Sequence, residues 1–254
     1  MACNLEGKGI LVTRAAHQAA GLVGLIESHG GRAIAFPALE IGPPRDPTVA
    51  EELLGQPWDL AIFISPNAVR FATRLLPVKR LNSAHIAAVG EATAQSLREA
   101  GLPADLLPDG RYDSEGLLAL PALRQMEGRR VLIIRGEGGR PLLGDSLRTR
   151  GAKVGYAEVY RRLRPATDPV PLLKRWRSEV DLTTATSAEV LDNLVAMLGE
   201  RGWPLLRETP LLVISERMAT RAHGLGFTQV LQASGADDAA LLRALCEWIE
   251  RCEH

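Results

Sequence analysis

The sequence has 254 residues and a mass of 27.4 kDa, which suits one large domain or two small ones. Its 30 basic and 30 acidic residues cancel, and this neutrality argues against a general nucleic-acid surface. No apolar run approaches the ~18 residues of a membrane span, and the first residues do not resemble a signal peptide. We therefore expect a cytoplasmic protein with no nucleic-acid or membrane partner.

The cysteines bear on the redox compartment of the protein, and the basic residues bear on the kind of ligand that it binds. Cys3, Cys246 and Cys252 fit neither a disulfide framework nor a CxxC metal or redox motif, which favours a reducing compartment. All but four of the basic residues are arginines, and arginine suits bidentate binding of carboxylates. Genomic base composition is the alternative explanation for that excess.

Short apolar runs rich in β-branched residues alternate with longer amphipathic stretches. The predicted strands are 10–13, 32–36, 59–65, 85–89, 130–135, 154–160, 181–184, 211–215 and 228–231. The predicted helices include 19–28, 68–76, 91–100, 142–150, 189–198 and 238–251. Such alternation is typical of α/β proteins, and it predicts doubly wound parallel sheets, flavodoxin- or Rossmann-like, with helices on both faces.

Three pairs of matching segments suggest an internal duplication. Residues 10–14 match 131–135, residues 62–65 match 184–187, and residues 89–91 match 214–216. Their common order and near-equal spacing favour duplication, with chance similarity among strand–helix units as the alternative.

Proline clusters indicate two connections between domains instead of one. Residues 42–47 and 164–171 each contain three prolines, which disfavour helix and stiffen an extended chain. A simple split near 120–130 would instead fall directly before a predicted strand. We therefore predict a discontinuous domain of 1–38 with 170–254, a second domain of 45–160, and interdomain linkers at 39–44 and 161–169.

Small polar residues follow several predicted strands, at the sheet edge where α/β proteins bind ligands. Helix N-termini at this edge offer unpaired N–H groups and partial positive charge to carboxylates or phosphates. Ordinary helix capping explains each residue alone, whereas the whole set indicates a polyanionic ligand. The binding candidates from these junctions are Ser65, Asn67, Gly90, Glu91, Ser114, Ser187 and Ser215.

A glycine-rich loop follows the predicted strand at 130–135. The run Gly136-Glu137-Gly138-Gly139 resembles a nucleotide-binding loop, with Glu158 near the spacing of a ribose contact, but a full G-x-G-x-x-G is absent. A glycine loop beside Arg135 could equally bind carboxylates, which makes Arg135 and Gly136 further binding candidates. Motifs for zinc hydrolysis, acyl transfer and ATP binding do not occur.

Taken in order, the motifs resemble the uroporphyrinogen-III synthase family over nearly the whole chain. The resemblance rests on LVTR at 11–14, IFISPNAV at 62–69, AVGEATA at 88–94, SEGLL at 114–118, VLIIRG at 131–136 and VYR at 159–161. It extends through Ser187 and Ser215. Each motif alone is weak, and the ordered set is much more specific.

The resemblance implies two α/β domains with the active site between them. It implies the polycarboxylate hydroxymethylbilane, a linear tetrapyrrole, as substrate, held mainly by main-chain amides and small polar side chains. The implied reaction removes the terminal hydroxyl as water, and the last pyrrole attacks through its substituted carbon. The resulting spiro intermediate fragments and recloses with ring D inverted, giving uroporphyrinogen III for haem biosynthesis. No cofactor is implied.

The resemblance also implies roles for individual residues. Tyr160 is the candidate for assisting departure of the hydroxyl, and Thr93 is the second catalytic candidate. Thr13 and Arg14 join the substrate-binding candidates. The alternative for Tyr160 is an aromatic side chain at a strand end that only packs beside a linker.

Two other functions remain open on the residues alone. One is a non-catalytic two-domain protein that binds a small anion, and the other is a nucleotide-dependent transferase that uses the glycine loop at 136–139. If the chain is a synthase, we expect it to be a monomer. Besides its substrate, the partner that we expect is hydroxymethylbilane synthase, in a transient contact.

Overall fold

The computed structural model describes residues 3–77 and 81–252. The chain divides into two compact units, a discontinuous unit of Met1–Glu40 with Leu163–His254 and an inserted unit of Ile41–Arg162. None of the helices in the described residues is long and apolar enough to cross a membrane.

The elements alternate along the chain between strand and helix. The strands are β1 Gly9–Val12, β2 Arg32–Ala35, β3 Glu40–Gly42, β4 Trp58–Phe63, β5 Ser83–Ala88, β6 Arg130–Gly136, β7 Lys153–Leu163, β8 Leu182–Ala185, β9 Leu211–Val213 and β10 Val230–Gln232. The helices are α1 Ala16–Ser28, α2 Pro47–Gly55, α3 Pro66–Leu75, α4 Glu91–Glu99, α5 Ser114–Ala119, α6 Leu142–Thr149, α7 Val170–Glu179, α8 Ala188–Glu208, α9 Glu216–Leu225 and α10 Asp238–Cys252.

The discontinuous unit is built on one parallel sheet in the order β10-β9-β8-β1-β2. Counted within the unit, this is the 2-1-3-4-5 order of flavodoxin-like folds. Helices α1 and α10 cover one face, with Leu22 and Trp248 in their core. Helices α7, α8 and α9 cover the other face, with Trp176 and Leu194 in theirs. The predicted doubly wound architecture is confirmed.

The inserted unit repeats this plan with the sheet order β3-β7-β6-β4-β5, in which β7, β6, β4 and β5 run parallel. Helices α2, α3 and α4 pack on one face around Phe63 and Phe71. Helices α5 and α6 pack on the other around Leu117 and Leu147. Strands β4 and β6 are almost entirely buried, as expected for the centre of a sheet covered on both faces.

The two sheets carry the matching sequence segments at equivalent positions. The matches pair β1 with β6, β8 with β4, and β9 with β5, and the order β2-β1-β8-β9 then corresponds to β7-β6-β4-β5. This correspondence between the two sheets supports the duplication.

Pairing between β1 and β8 closes the discontinuous unit across the insertion. The hydroxyl of Thr13 donates to the carbonyl of Thr184, and the hydroxyl of Thr184 donates to the carbonyl of Leu11 at 2.9 Å. The backbone N–H of Gly9 donates to the Asp181 carboxylate at 2.7 Å. Both threonines are buried, so these bonds replace contacts with water that the hydroxyls lose.

The segments predicted as linkers differ from the prediction because they include strand. Strand β3 lies within 39–44 and neighbours β7 in the sheet, and β7 itself continues to Leu163. The prolines that suggested linkers also begin helices: Pro47 lies in the first turn of α2, where Asp46 caps the N-terminus, and Pro171 lies in the first turn of α7.

A disulfide joins Cys3 to Cys246 of α10, with 5.6 Å between the two Cα atoms. The expectation that the cysteines form no disulfide is therefore wrong for this pair. Their sequence separation of 243 residues gave no indication, because the fold alone brings the N-terminal segment against α10. The bond also removes cysteine usage as an argument for a reducing compartment.

Replacing Gly9 by alanine should destabilise the discontinuous unit. An ideal Cβ at Gly9 would lie 1.6 Å from the backbone oxygen of Glu179, so β1 would have to move, at a cost of at least about 2 kcal/mol. Gly24→Ala is the matched control, because Gly24 lies in α1 with nothing within 4 Å of that position. It should raise the free energy of unfolding by about 0.5–1 kcal/mol. Equal urea midpoints for the two variants would contradict the prediction.

Candidate functional site

Each sheet has a topological switch point, where chain connections leave in opposite directions from two adjacent strands. It lies between β1 and β8 in the discontinuous unit and between β6 and β4 in the inserted unit. Ligands of α/β proteins bind at the carboxyl ends of the strands beside such a point. Most of the predicted site residues lie at the carboxyl ends of strands or in the helical turns that follow them, whereas Ser114 begins α5, which follows a loop, and Tyr160 lies within β7.

Ser65 and Tyr160 meet at this edge of the inserted unit. Ser65 lies between β4 and α3 and is the N-cap of α3, with its Oγ accepting from the N–H of Ala68 at 3.1 Å. The same Oγ lies 3.2 Å from the hydroxyl oxygen of Tyr160, and either hydroxyl can donate. The site therefore joins the positive end of a helix to a phenol through one serine hydroxyl.

The ring of Tyr160 is packed in the core of the inserted unit. The residue is 3% exposed, and its ring centroid lies 5.9 Å from that of Phe71 on α3. Gly136, at the end of β6, lies directly against the same ring. The packing is tight enough to fix the ring, and it leaves the hydroxyl at Ser65 as the polar end of the side chain.

Arg135 uses its guanidinium inside the protein. Its Nη2 donates to the carbonyl of Gly139 at 2.7 Å, and its Nη1 lies 3.3 Å from the carbonyl of Arg140. Its Nε lies 3.4 Å from the Glu158 carboxylate, and the guanidinium stacks 4.6 Å from the ring centroid of Tyr156. These contacts hold the glycine-rich loop, and they occupy the Glu158 carboxylate that a ribose would otherwise need.

The junction after β5 contains Gly90, Glu91 and Thr93. Gly90 is the N-cap of α4, and its missing side chain admits Tyr112, whose Cβ lies 3.2 Å from an ideal Gly90 Cβ. Thr93 is 4% exposed and lies in the first helical turn, with its N–H donating to the Gly90 carbonyl. Glu91 is exposed and 3.9 Å from Arg98, so it adds negative charge near the helix N-terminus.

The cap of α5 is Asp113, and Ser114 is the first residue of the helix. The Asp113 carboxylate accepts from the N–H of Gly116 at 2.8 Å and from Arg111 at 2.7 Å. The backbone bond and the Arg111 contact hold the pKa of Asp113 below its ordinary value. The Asp113 carboxylate therefore already accepts the hydrogen bond of the Gly116 N–H, which a ligand would need at this helix N-terminus.

In the discontinuous unit, the residues after β1 are bound internally. Thr13 is completely buried and holds β1 to β8. Arg14 forms an ion pair with Asp238 and donates to the carbonyl of Ala236 at 2.8 Å. Arg14 thus holds the loop before α10, just as the matching Arg135 holds the loop before α6.

Two further serine caps lie at the same edge of this unit. Ser187 caps α8, with its Oγ accepting from Val190 N–H at 3.1 Å. Ser215 caps α9, with its Oγ 3.4 Å from Met218 N. Together with Ser65, these residues show that the sequence correctly indicated the capped junctions.

Arg70 on α3 is a residue that the sequence did not single out. Its guanidinium lies 5.0 Å from the ring centroid of Phe71, and its Nε is buried with no hydrogen-bond partner among the described residues. Burial, and then the charge of Arg74, lower the pKa of Arg70. Its position one turn after the Ser65 cap was the available signal.

Within the described part of the chain, no group of three His, Cys, Asp or Glu side chains is arranged to hold a metal ion. Asn67, the remaining candidate, is half-buried in the first turn of α3.

Solved structures resemble the fold of this chain. A uroporphyrinogen III synthase mutant from the extremely thermophilic bacterium Thermus thermophilus has a TM-score of 0.60 and 22% sequence identity, over 96% of this chain and 99% of that one. The uroporphyrinogen-III synthetase of Helicobacter pylori 26695 has a TM-score of 0.57 and 15% identity, over 97% and 100%. At these identities the likeness shows the fold alone.

Sequence comparison shows the family. The uroporphyrinogen-III synthase of Escherichia coli K12 is 37% identical over 246 residues, covering 93% of this chain and 99% of that protein. The uroporphyrinogen-III synthase of Synechococcus elongatus is 31% identical over 203 residues, 76% of each. A family model described as uroporphyrinogen-III synthase HemD matches residues 20–243. The chain therefore belongs to the uroporphyrinogen-III synthase family.

Proposed function

We propose that this chain is the enzyme that closes hydroxymethylbilane into uroporphyrinogen III. The terminal hydroxyl of the substrate leaves as water, and the carbon that carried it becomes an electrophilic azafulvene. The substituted carbon of the last pyrrole attacks it to form a spiro intermediate. That intermediate fragments and recloses at the free position of the pyrrole, so that ring D is inverted in the product.

The hydrogen bond between Ser65 and Tyr160 is the observation that carries the chemical part of this proposal. Ser65 Oγ accepts from the N–H of Ala68, and its own proton can then be donated to the oxygen of Tyr160. In that arrangement the phenol proton of Tyr160 is available to the departing hydroxyl. The N-terminus of α3 stabilises negative charge that develops along this chain of bonds.

Helix N-termini and arginine supply the positive potential that a polycarboxylate needs. Ser65, Ser187 and Ser215 each satisfy one N–H of a first helical turn, and the positive end of each helix dipole favours a carboxylate at the same turn. Arg70 adds a guanidinium near α3 whose Nε lacks a partner among the described residues. Arg14 and Arg135 instead hold loops, so we assign them a positioning role.

Conformational control is the main task in this reaction. Free hydroxymethylbilane closes spontaneously to the symmetric type I isomer, so the enzyme must hold the conformer that leads to the spiro intermediate. Fixed hydrogen-bond donors that grip several carboxylates achieve this, because they lower the entropy of a flexible ligand before the bond forms.

We further propose that the protein works in the cytoplasm as a monomer. A transient contact with hydroxymethylbilane synthase would shorten the time that the labile substrate spends in solution. The chemistry itself requires neither the monomeric state nor this contact.

Incubation with enzymically generated hydroxymethylbilane tests the function directly. The purified protein should yield type III uroporphyrinogen without added metal or nucleotide, as resolved by chromatography of the oxidised isomers. A protein that binds small anions without catalysis would leave the type I isomer as the product, and a transferase would require nucleotide. Either result would refute the proposal.

Substitutions of Ser65 should separate substrate binding from helix capping. Ser65→Asp keeps a good N-cap residue but places a negative charge where a substrate carboxylate would bind, so KM should rise at least tenfold with little loss of stability. Ser65→Ala removes the cap and should lower the free energy of unfolding by about 1 kcal/mol, with a smaller change in KM. Equal KM values for the two variants would argue that no carboxylate binds at this turn.

Tyr160→Phe should lower kcat while preserving the fold, because only one polar atom is lost. General-acid assistance is typically worth about 10²–10⁴-fold, and we expect the lower end for so labile a leaving group. KM should change little, and the product at saturating enzyme should remain the type III isomer. Tyr156→Phe is the control, since it removes a hydroxyl from the same strand, at a position that faces Arg148. Wild-type kcat in Tyr160→Phe would show that Tyr160 only packs.

A further inference from the structure

The pairing of β6 with β7 is interrupted beside Tyr160. Arg135 pairs with Glu158, but Gly136 pairs with Tyr160, so the register shifts by one residue and Val159 is left between them. Such bulges are uncommon in parallel sheets, and they redirect side chains near functional sites.

The bulge changes the face to which Tyr160 points. In a regular strand Val159 and Tyr160 would face opposite sides of the sheet. Both instead belong to the core beneath α2, α3 and α4, together with Ala157. The shift therefore brings the Tyr160 ring to the side of the sheet on which α3 and its Ser65 cap lie.

Gly136 makes room for the redirected ring. An ideal Cβ on Gly136 would lie 2.5 Å from Cε2 and 2.7 Å from Cζ of Tyr160, closer than any real contact. The backbone of Gly136 is not in the left-handed region, so its conformation does not require glycine. Contact with the ring is what excludes a side chain at this position.

The ring has little freedom to avoid such a side chain. The backbone carbonyl of Tyr160 accepts from the N–H of Glu137 at 2.8 Å, which holds residue 160 beside residue 136. Phe71 lies 5.9 Å away between ring centroids, and the residue is 3% exposed. A methyl group at 136 must therefore tilt the ring, and the tilt moves the hydroxyl away from Ser65.

We propose that Gly136 is a positioning residue for the reaction: the absence of its side chain, together with the bulge, sets the ring plane of Tyr160 and holds the phenol hydroxyl at Ser65. This inference rests on the proposed function, because it gives Gly136 an effect on rate only if the Tyr160 hydroxyl assists the reaction. It assigns to Gly136 a steric role instead of direct substrate binding.

The test is a double-mutant cycle of Gly136→Ala and Tyr160→Phe. Phenylalanine retains the ring and so retains the clash, but it lacks the hydroxyl. Gly136→Ala should lower kcat at least tenfold in the wild-type background and less than twofold in the Tyr160→Phe background. The loss of melting temperature should be the same in both. KM should change less than threefold.

Gly155→Ala is the matched control for a steric clash elsewhere in the sheet. Gly155 lies on β7, and an ideal Cβ there would be 2.6 Å from the ring of Trp58, nearly the distance found at Gly136. This variant should lose stability to a similar degree and keep kcat within twofold of the wild type. If Gly136→Ala does not fold, Gly136→Ala with Phe71→Leu opens space beside the ring and takes its place, with Phe71→Leu alone as reference.

The outcomes separate the two proposals. Equal loss of kcat from Gly136→Ala in both backgrounds, or wild-type kcat in Gly136→Ala while Tyr160→Phe is slow, overturns the positioning role and leaves the function of Tyr160 intact. Wild-type kcat in Tyr160→Phe overturns both assignments. Absence of type III product from the wild type overturns the function itself.

Discussion

The discontinuous unit depends on the pairing of β1 with β8, two strands that lie on either side of the insertion. Gly9 and Asp181 exchange hydrogen bonds in both directions, and the buried hydroxyls of Thr13 and Thr184 tie the strands at their other end. Without this ladder, β1 and β2 would have no strand pairing with the sheet formed by β8, β9 and β10. The same pairing creates the switch point, so the geometry of the strand ends follows from it.

The inserted unit has the same strand order, with β6 and β4 at its centre. Comparison of the two units shows that Arg14 and Arg135 have equivalent structural roles. Arg14 and Arg135 follow matching strands, and each turns inward to hold the loop before the next helix. The two units differ in the side chains that lie beside their serine caps. Among the residues that the structure describes, only the inserted unit has a tyrosine hydroxyl beside its serine cap, and this is the hydroxyl of Tyr160 that we propose to assist the reaction.

The sequence predicted the features that depend on local chemistry. The apolar run of β6 indicated a central strand, because a strand that is buried on both faces needs apolar residues throughout. Ser65 before a proline indicated a helix cap, because short hydroxyl side chains satisfy first-turn N–H groups. Strand β3 was missed because three residues carry too little pattern to be distinguished from a linker. The ion pair of Arg14 with Asp238 was also out of reach, since only the fold decides whether an arginine faces a ligand or a loop. The reaction and the proposed role of Tyr160 rest on family resemblance and not on local sequence pattern.

Because the inserted unit interrupts the discontinuous unit, the ribosome completes the inserted unit before it has made all the strands of the discontinuous one. The two threonines that close the ladder are 171 residues apart, so at about 5–20 residues per second β8 leaves the ribosome roughly 10–30 s after β1. The inserted unit is complete by Arg162, before its host can close. During that interval β1 can pair with β2 but not with β8, so one edge of the earliest strand stays unpaired until the chain beyond the insertion has been made.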